Sequence, residues 1–317
     1  MKQLISLTLN LLLISSIFLF STGCTESDSI VEPTGTSDIE QLQKLVSEDE
    51  VIQSYEPNYN EDEAMDIVDL GLSKAIFPLR VGQKMSLVER NVTFDIQNDT
   101  AYGHVVSTFE GILFIAASYD AFVPGDSNIV DTLIQKSFTT TVTRNIVFVK
   151  VNNSLFPERN WRIYKMSLPN GGTETDNIEI TKLTIILPDG NEIVVDDPNE
   201  YYLTRDPGLR NQLPIISRGE NVTIRVELNS TYEDDDFVTL TYGGLRSDRY
   251  HRSKRRFEIV SSEPDGAYYK KVYENRWEAN RFPGIKHAII NATPRQVIFD
   301  DETIVETNSW GIPYIVK

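Results

Sequence analysis

One cysteine, Cys24, among 317 residues excludes an intrachain disulfide and a cysteine-built zinc site. Histidine is nearly as scarce. His104, His251 and His287 are the only three, and they stand too far apart in the chain for a histidine-rich metal centre. Positive charge is in deficit, with 30 Lys and Arg against 47 Asp and Glu, a net charge of −17. A surface of that sign repels phosphate backbones and excludes general nucleic-acid binding. The chain has no Gly-x-Ser-x-Gly, no His-Glu-x-x-His, no Gly-x-x-x-x-Gly-Lys and no Gly-x-Gly-x-x-Gly. No catalytic residue, metal or cofactor is therefore assigned, and the sequence points to a non-catalytic protein. What is present suits folding: 40% hydrophobic and 24% charged residues, in a length that accommodates two domains.

The first segment differs from the rest. Met1-Lys2 is a short basic start, Leu4 to Phe20 is almost wholly apolar, and Ser21-Thr22-Gly23-Cys24 follows. This is the plan of a secretory signal peptide, with a run slightly short for a membrane span. The four residues ending in Cys24 resemble the lipobox of bacterial lipoproteins, with Ser21 where Leu is commonest. The resemblance implies cleavage after residue 23, a diacylglycerol on the Cys24 thiol and acylation of the new N-terminus. It also implies an envelope location held by lipid. Thr25 rather than Asp after the lipidated Cys fits the outer membrane under the enterobacterial sorting rule. Residues 24–37 are polar and without period, and read as a flexible tether.

From 38 to 170 the pattern begins helical. Asp38 to Val46 places Ile39, Leu42, Leu45 and Val46 on one face. Asn60 to Ala75 places Met65, Val68, Leu72 and Ala75 likewise, with Asn60 as cap and acids in the first turn. The period then changes to two. Strands are expected over Lys84–Ile96, over Thr100–Ala117 with a break near Gly111, over Ser137–Val151 and over Trp161–Met166. Asp99-Thr100-Ala101-Tyr102, the strand from Arg144, and Asn160-Trp161-Arg162-Ile163 resemble the NTF2-like superfamily. The resemblance implies an α+β domain with helices on a curved antiparallel sheet around a conical pocket. Tyr102 and His104 on one strand and Arg144 on a later one are its candidate pocket residues.

Gly171 to Asp176 is a polar, glycine-bearing stretch that reads as a joint. Beyond it, 174–317 alternates in short strands: Ile178–Leu187, Glu192–Val195, Asn221–Leu228, Phe237–Tyr242, Arg256–Val260, Ala267–Trp277, Lys286–Asn291 and Gln296–Phe299. Turn signals every eight to twelve residues suggest an all-β sandwich, similar to the immunoglobulin-like domains of bacterial envelope proteins. Ser309 to Lys317 reads as a terminal edge strand, because Pro313 suits an edge and not a sheet centre.

Two charge runs stand out. Asp196 to Glu200 and Glu233 to Asp236 lack the Asp-x-Asp-x-Asp-Gly spacing of a calcium loop and read as solvated hairpin tips. Arg246, Arg249, Arg252, Lys254, Arg255 and Arg256 form a basic cluster in an acidic protein. They are candidates for an anionic envelope polysaccharide or protein partner, or for pairing with the protein's own acidic loops. The expected protein is a lipid-anchored envelope lipoprotein acting as a non-catalytic binding or assembly module. The competing expectation is an NTF2-like ligand-binding or weakly catalytic pocket.

Overall fold

In a computed structural model, residues 38–55, 65–66, 76–120, 130–154, 159–205, 213–243, 252–279 and 282–317 are described. The alternation at Thr100 produces one uninterrupted strand, β3, since it follows β1 (Met65–Asp66) and β2 (Phe77–Gln97) and runs from Thr100 to Ser118. Every second residue of β3 is buried along its whole length. At roughly 3.4 Å per residue it is about 60 Å long. A left-handed Asn98, at φ 56°, turns β2 into β3. The third long strand is β4 (Thr132–Lys150), antiparallel to β3. Gly111 does not break β3. It faces Phe138 of β4, and a Cβ there would sit 2.5 Å from that ring.

Beyond β4 come β5 (Trp161–Ser167), β6 (Asn170–Gly172), β7 (Ile178–Ile186), β8 (Glu192–Val195), β9 (Tyr202–Thr204) and β10 (Ile215–Ile216). They are followed by β11 (Asn221–Ser230), β12 (Phe237–Gly243), β13 (Arg252–Arg256), β14 (Glu258–Asp265), β15 (Tyr268–Glu278), β16 (Gly284–Thr293) and β17 (Asn308–Val316). A twelve-stranded sheet runs β1-β2-β3-β4-β6-β17-β16-β12-β13, with β5, β9 and β10 attached; a second sheet runs β14-β15-β11-β7-β8. The two pack as a sandwich-like pair. Ile180, Leu183, Val222, Ile224 and Val226 of the smaller sheet share one core with Leu240, Ile290, Trp310 and Ile312 of the larger. Trp277 joins them, its ring 4.7 Å from Tyr242 and 5.3 Å from Tyr314.

Among the described residues strand accounts for 64% and helix for 9%, so the protein is not the expected α+β NTF2-like domain followed by an immunoglobulin-like sandwich. Helix α1 (Asp38–Glu48) agrees with its 3.6 period and buries Leu42 and Val46. The second expected helix is overturned at Met65–Asp66, which pair with Arg80 and Val81 of β2; its other residues lie outside the described ones. Helix α2 (Glu50–Ser54) was not anticipated. Asp49 caps it, accepting from Val51 N and Ile52 N at 2.9 and 3.0 Å. Gln296–Phe299, expected as strand, is helix α3 (Arg295–Phe299), whose Val297, Ile298 and Phe299 pack on the inner face of β2 and β3. Five residues are too few to tell a buried strand from a buried turn of helix by periodicity.

The expected joint opens in sheet, and its remainder is the bend between β6 and β7. Gly171 and Gly172 belong to β6, which pairs with β4 on one side and β17 on the other. The described residues between 38 and 317 form one compact unit. Pro313 likewise lies inside the larger sheet, opposite His287 of β16. Its missing N–H explains how. Gly311 N and Ile315 N, on the same side as Pro313 N, donate to Pro169 and Pro214 carbonyls rather than to a strand. On that side β6 ends at Trp310 and β10 begins at Ile315, so Pro313 occupies the gap between them.

Candidate functional site

Strand register decides where the candidate pocket residues point. Val105 is paired with Arg144 and His104 with Asn145. Paired residues share a face and successive residues alternate, so Arg144 lies on the inner face and Tyr102 and His104 on the outer. The three do not converge. Tyr102 is 48% exposed and His104 is exposed. His104 Nδ1 lies 2.8 Å from Asn145 Oδ1, which makes that nitrogen the donor. Asn145 in turn donates to the Asn199 carbonyl at 3.2 Å, and Asn199 donates to Thr143 Oγ1 at 2.8 Å. An amide partner neither takes nor supplies a proton, so this row positions polar groups on an open face and does not form an acid–base pair.

Arg144 has the opposite setting, only 4% exposed. Its Nη1 faces the Met166 sulfur at 3.7 Å. Its Nη2 is buried and has no hydrogen-bond partner among the described residues. Beside it lies a cavity of about 20 Å³ lined by Ile52 of α2, Tyr55 just after that helix, Arg90 of β2, Val105, Ser107 and Phe109 of β3, and Val142. Burial pulls the Arg144 guanidinium down to about 10, and the Arg205 and Arg90 charges add to the pull against Asp49 and Tyr55. Among the described residues Asp49 is the carboxylate whose charge acts on Arg144, and its contacts run through one oxygen. Its Oδ1 caps α2 and also receives Arg205 Nη1 at 3.1 Å. Arg90 Nε donates to Ser107 Oγ at 3.1 Å. Tyr55 Oη and Ser309 Oγ, 3.0 Å apart, tie α2 to β17.

The sequence contained one sign of this site. Arg144 shares its strand face with Val142, Ile146 and Phe148, an apolar row in which a cation is out of place. Asp49, Tyr55, Arg90, Ser107 and Arg205 carry no such sign, because only tertiary packing brings α2, β2, β3 and the segment after β9 together.

The basic cluster is divided. Arg246 and Arg249 lie outside the described residues, and Arg252 begins β13, whose backbone pairs with β12. Lys254 is half-buried on the same strand. Arg255 Nε donates to Tyr242 Oη at 3.1 Å, and the Arg256 guanidinium lies 5.2 Å from the Phe237 ring centre. An open groove of about 440 Å³ brings Arg256 beside Asp235 and Asp236.

The acidic run is not wholly a solvated tip either. Asp236 and Lys271 are fully buried partners, Nζ to Oδ2 2.9 Å. Lys271 also donates to the Asp234 carbonyl, and Ser230 Oγ donates to Asp236 Oδ1 at 3.0 Å. Burial pushes the Asp236 carboxyl up against the opposing pull of Lys271. Among the described residues no group of three His, Cys, Asp or Glu could hold a metal ion.

The buried phenols set an alkaline limit. Burial pushes Tyr55 up to about 12 and Tyr273 higher still, the latter helped by Asp236. An unfolded phenol ionises near pH ~10. Between that value and about 12 the unfolded chain loses protons that the folded one keeps, so stability falls as pH rises. The lowered Arg144 acts in the opposite sense over the same window, for one group against two. Phenolate absorbance of the buried tyrosines is therefore expected only with unfolding, as a cooperative step above pH ~10 rather than a gradual titration.

No family model matches the chain, and no curated protein matches it. Among solved structures, one of astrotactin-2, a vertebrate-specific, perforin-like membrane protein involved in neuronal development, matches at 9% identity with a TM-score of 0.21. It covers 82% of this chain and 68% of its own. A likeness at that level carries no argument.

Proposed function

We propose that the protein is a lipoprotein of the cell envelope, anchored through acylated Cys24, that acts by binding rather than by catalysis. The partner envisaged is an envelope polysaccharide or protein met at the open outer face of the long β2–β3–β4 sheet, and the outer membrane is the membrane envisaged. The observation that supports this reading is the placement of Tyr102 and His104 on that exposed face, opposite Asp95 of β2 and Asn145 of β4 and on the other side of the sheet from Arg144. A pocket enzyme would need these residues around a concavity. Only Arg144 lines one, and its volume of about 20 Å³ is too small for an organic substrate.

Cells expressing the wild type or Cys24→Ala, each with a photo-cross-linking residue at position 102, test both halves. Wild type is expected to take up radioactive fatty acid, to fractionate with membranes and to cross-link an envelope component. Cys24→Ala is expected to lose the label and the membrane association. Equal label in the two removes the anchor. No cross-link from position 102, with one from a control position such as Val194 in β8, removes the outer face as the binding surface.

A further inference from the structure

We propose that the edge of β2 from Glu89 to Gln97 pairs with the same segment of a second copy, so that two chains share one continuous sheet. Among the described residues, the side of β2 away from β3 is met only by β1, at Arg80 and Val81. The part of β2 before Glu89 also carries features that discourage edge pairing: Pro78, Lys84 and irregularities of register beside Pro78 and Leu87. Glu89 to Gln97 has no proline, no lysine and no such irregularity. Its inward charge, Arg90, is held by Ser107 of its own sheet, Nε to Oγ 3.1 Å.

The turn into β3 fixes which backbone groups face the open side. Gln97 and Thr100 pair directly across Asn98-Asp99, and residues closing so short a turn exchange both of their backbone hydrogen bonds. By alternation Asp95, Thr93 and Asn91 also direct their N–H and C=O groups to β3, while those of Ile96, Phe94, Val92 and Arg90 point away from it. The side chains agree. Val92 and Phe94 pack on the inner core yet are only half-buried, and Ile96 is 38% exposed. Opposite them on β3, Ala101 and Val105 are fully buried. The inner row of β2 is therefore uncovered on the side where a further strand would lie.

The segment is its own complement in one register. In a two-fold antiparallel pair opposed residues share a face, so odd positions meet odd and even meet even. With Val92 on the axis, Glu89 opposes Asp95, a like-charge pair. With Arg90 or Asn91 there, the ladder runs into the irregularity beside Leu87. With Phe94 there, Glu89 opposes Asp99 in the turn. Thr93 on the axis avoids all three: Phe94 meets Val92, Asn91 meets Asp95, Glu89 meets Gln97 and Ile96 meets Arg90. The ladder then spans the whole open segment and stops short of β1. The axis is normal to the sheet, so both copies turn the same face outward. Tyr102 and His104 of the two copies come to lie on one surface, a doubling of the binding face that rests on the proposed function, whereas the pairing itself does not.

The test is the protein mass of the detergent-solubilised full chain by light scattering, together with single cysteine variants on the outer row of β2. The wild type is expected at twice the mass of one chain. Opposed residues that are not hydrogen-bonded to each other lie about 4.5 Å apart between Cα atoms, within the span of a disulfide. Thr93→Cys is therefore expected to give a covalent dimer on mild oxidation. Asn91→Cys, whose two copies are out of reach in this register, and the wild type, which has the same Cys24, are expected to give none. Ile96→Lys, which sets a second cation opposite Arg90, is expected to halve the mass. A wild type that is monomeric at every concentration overturns the proposal. A cross-link through Asn91→Cys and not through Thr93→Cys overturns the register, and a dimer untouched by Ile96→Lys overturns the surface. Should Ile96→Lys not fold, the two cysteine variants decide the matter. A pure chain that stays monomeric while a photo-cross-linking residue at position 93 captures a different protein in cells gives the edge to a foreign strand and overturns the second copy.

Discussion

Lys271→Met is expected to destabilise the protein by about 3–5 kcal/mol, the cost of leaving a buried carboxylate without its countercharge. Both partners are fully buried, 2.9 Å apart, in the core between the two sheets. Asp236 lies at the entry to β12 and Lys271 on β15, so the pair bridges one sheet to the other. Lys271 opposes the upward push of burial on the Asp236 carboxyl. Without it the carboxyl is raised further and takes up a proton in the folded state at a pH where the unfolded chain does not. The deficit of the variant therefore shrinks as pH falls toward the raised value. Denaturant unfolding at two pH values measures both effects: a large loss at neutral pH, and a smaller one under mild acid. The double variant Lys271→Met/Asp236→Leu is expected to recover most of the loss, because it removes both charges and leaves two neutral groups to find new partners, the Ser230 hydroxyl and the Asp234 carbonyl. A single variant as stable as the wild type would show that the pair is hydrated and not buried.

Gly172→Ala is expected to cost about 2–5 kcal/mol, from a backbone conformation that L side chains avoid together with an overlap that nothing can relieve. Gly172 has φ +155°, and a Cβ there would run into the carbonyl oxygen of Thr307 and lie 3.1 Å from Asn308 Cα. Both are backbone atoms of the segment leading into and opening β17, so no rotamer change can make room. In a flexible joint the same substitution would be nearly silent. Gly190→Ala is the matched control, since it too has positive φ but no neighbour within 4 Å. Its loss should be confined to the smaller backbone term. Thermal or denaturant midpoints for the two variants separate close packing from conformational preference, and a Gly172→Ala variant no worse than Gly190→Ala would restore the reading of this stretch as a linker.

Much of the strand content was legible because a period of two needs no tertiary knowledge. Thr100 to Ala117, Ser137 to Val151, Ile178 to Leu187 and Asn221 to Leu228 alternate in the sequence and are strands in the structure. Their register was not legible. Whether Arg144 shares a face with His104 depends on pairing Val105 with Arg144, and a shift of one residue would reverse it. The NTF2-like expectation failed on that point as well as on helix content, since a pocket requires its residues on one concave face.

Glycine and proline misled for a related reason. Each permits a turn or an edge, but each also serves where space or hydrogen bonding leaves no alternative. Gly111 makes room for Phe138, Gly172 for the backbone before β17, and Pro313 fills a gap between two short strands. Local composition cannot distinguish these uses, because the deciding neighbour is distant in the chain. The sequence alone determined the acidic balance, the apolar run from Leu4 to Phe20 ahead of Cys24 and the two-residue period of the long strands, all of which are properties of adjacent residues. Only the tertiary structure decided that one sheet includes strands from both sides of the expected joint, that Asp236 is buried against Lys271 and that Arg144 is buried near Asp49, Arg90 and Arg205. Those outcomes depend on pairings between residues tens to hundreds of positions apart, and such pairings leave no periodic trace.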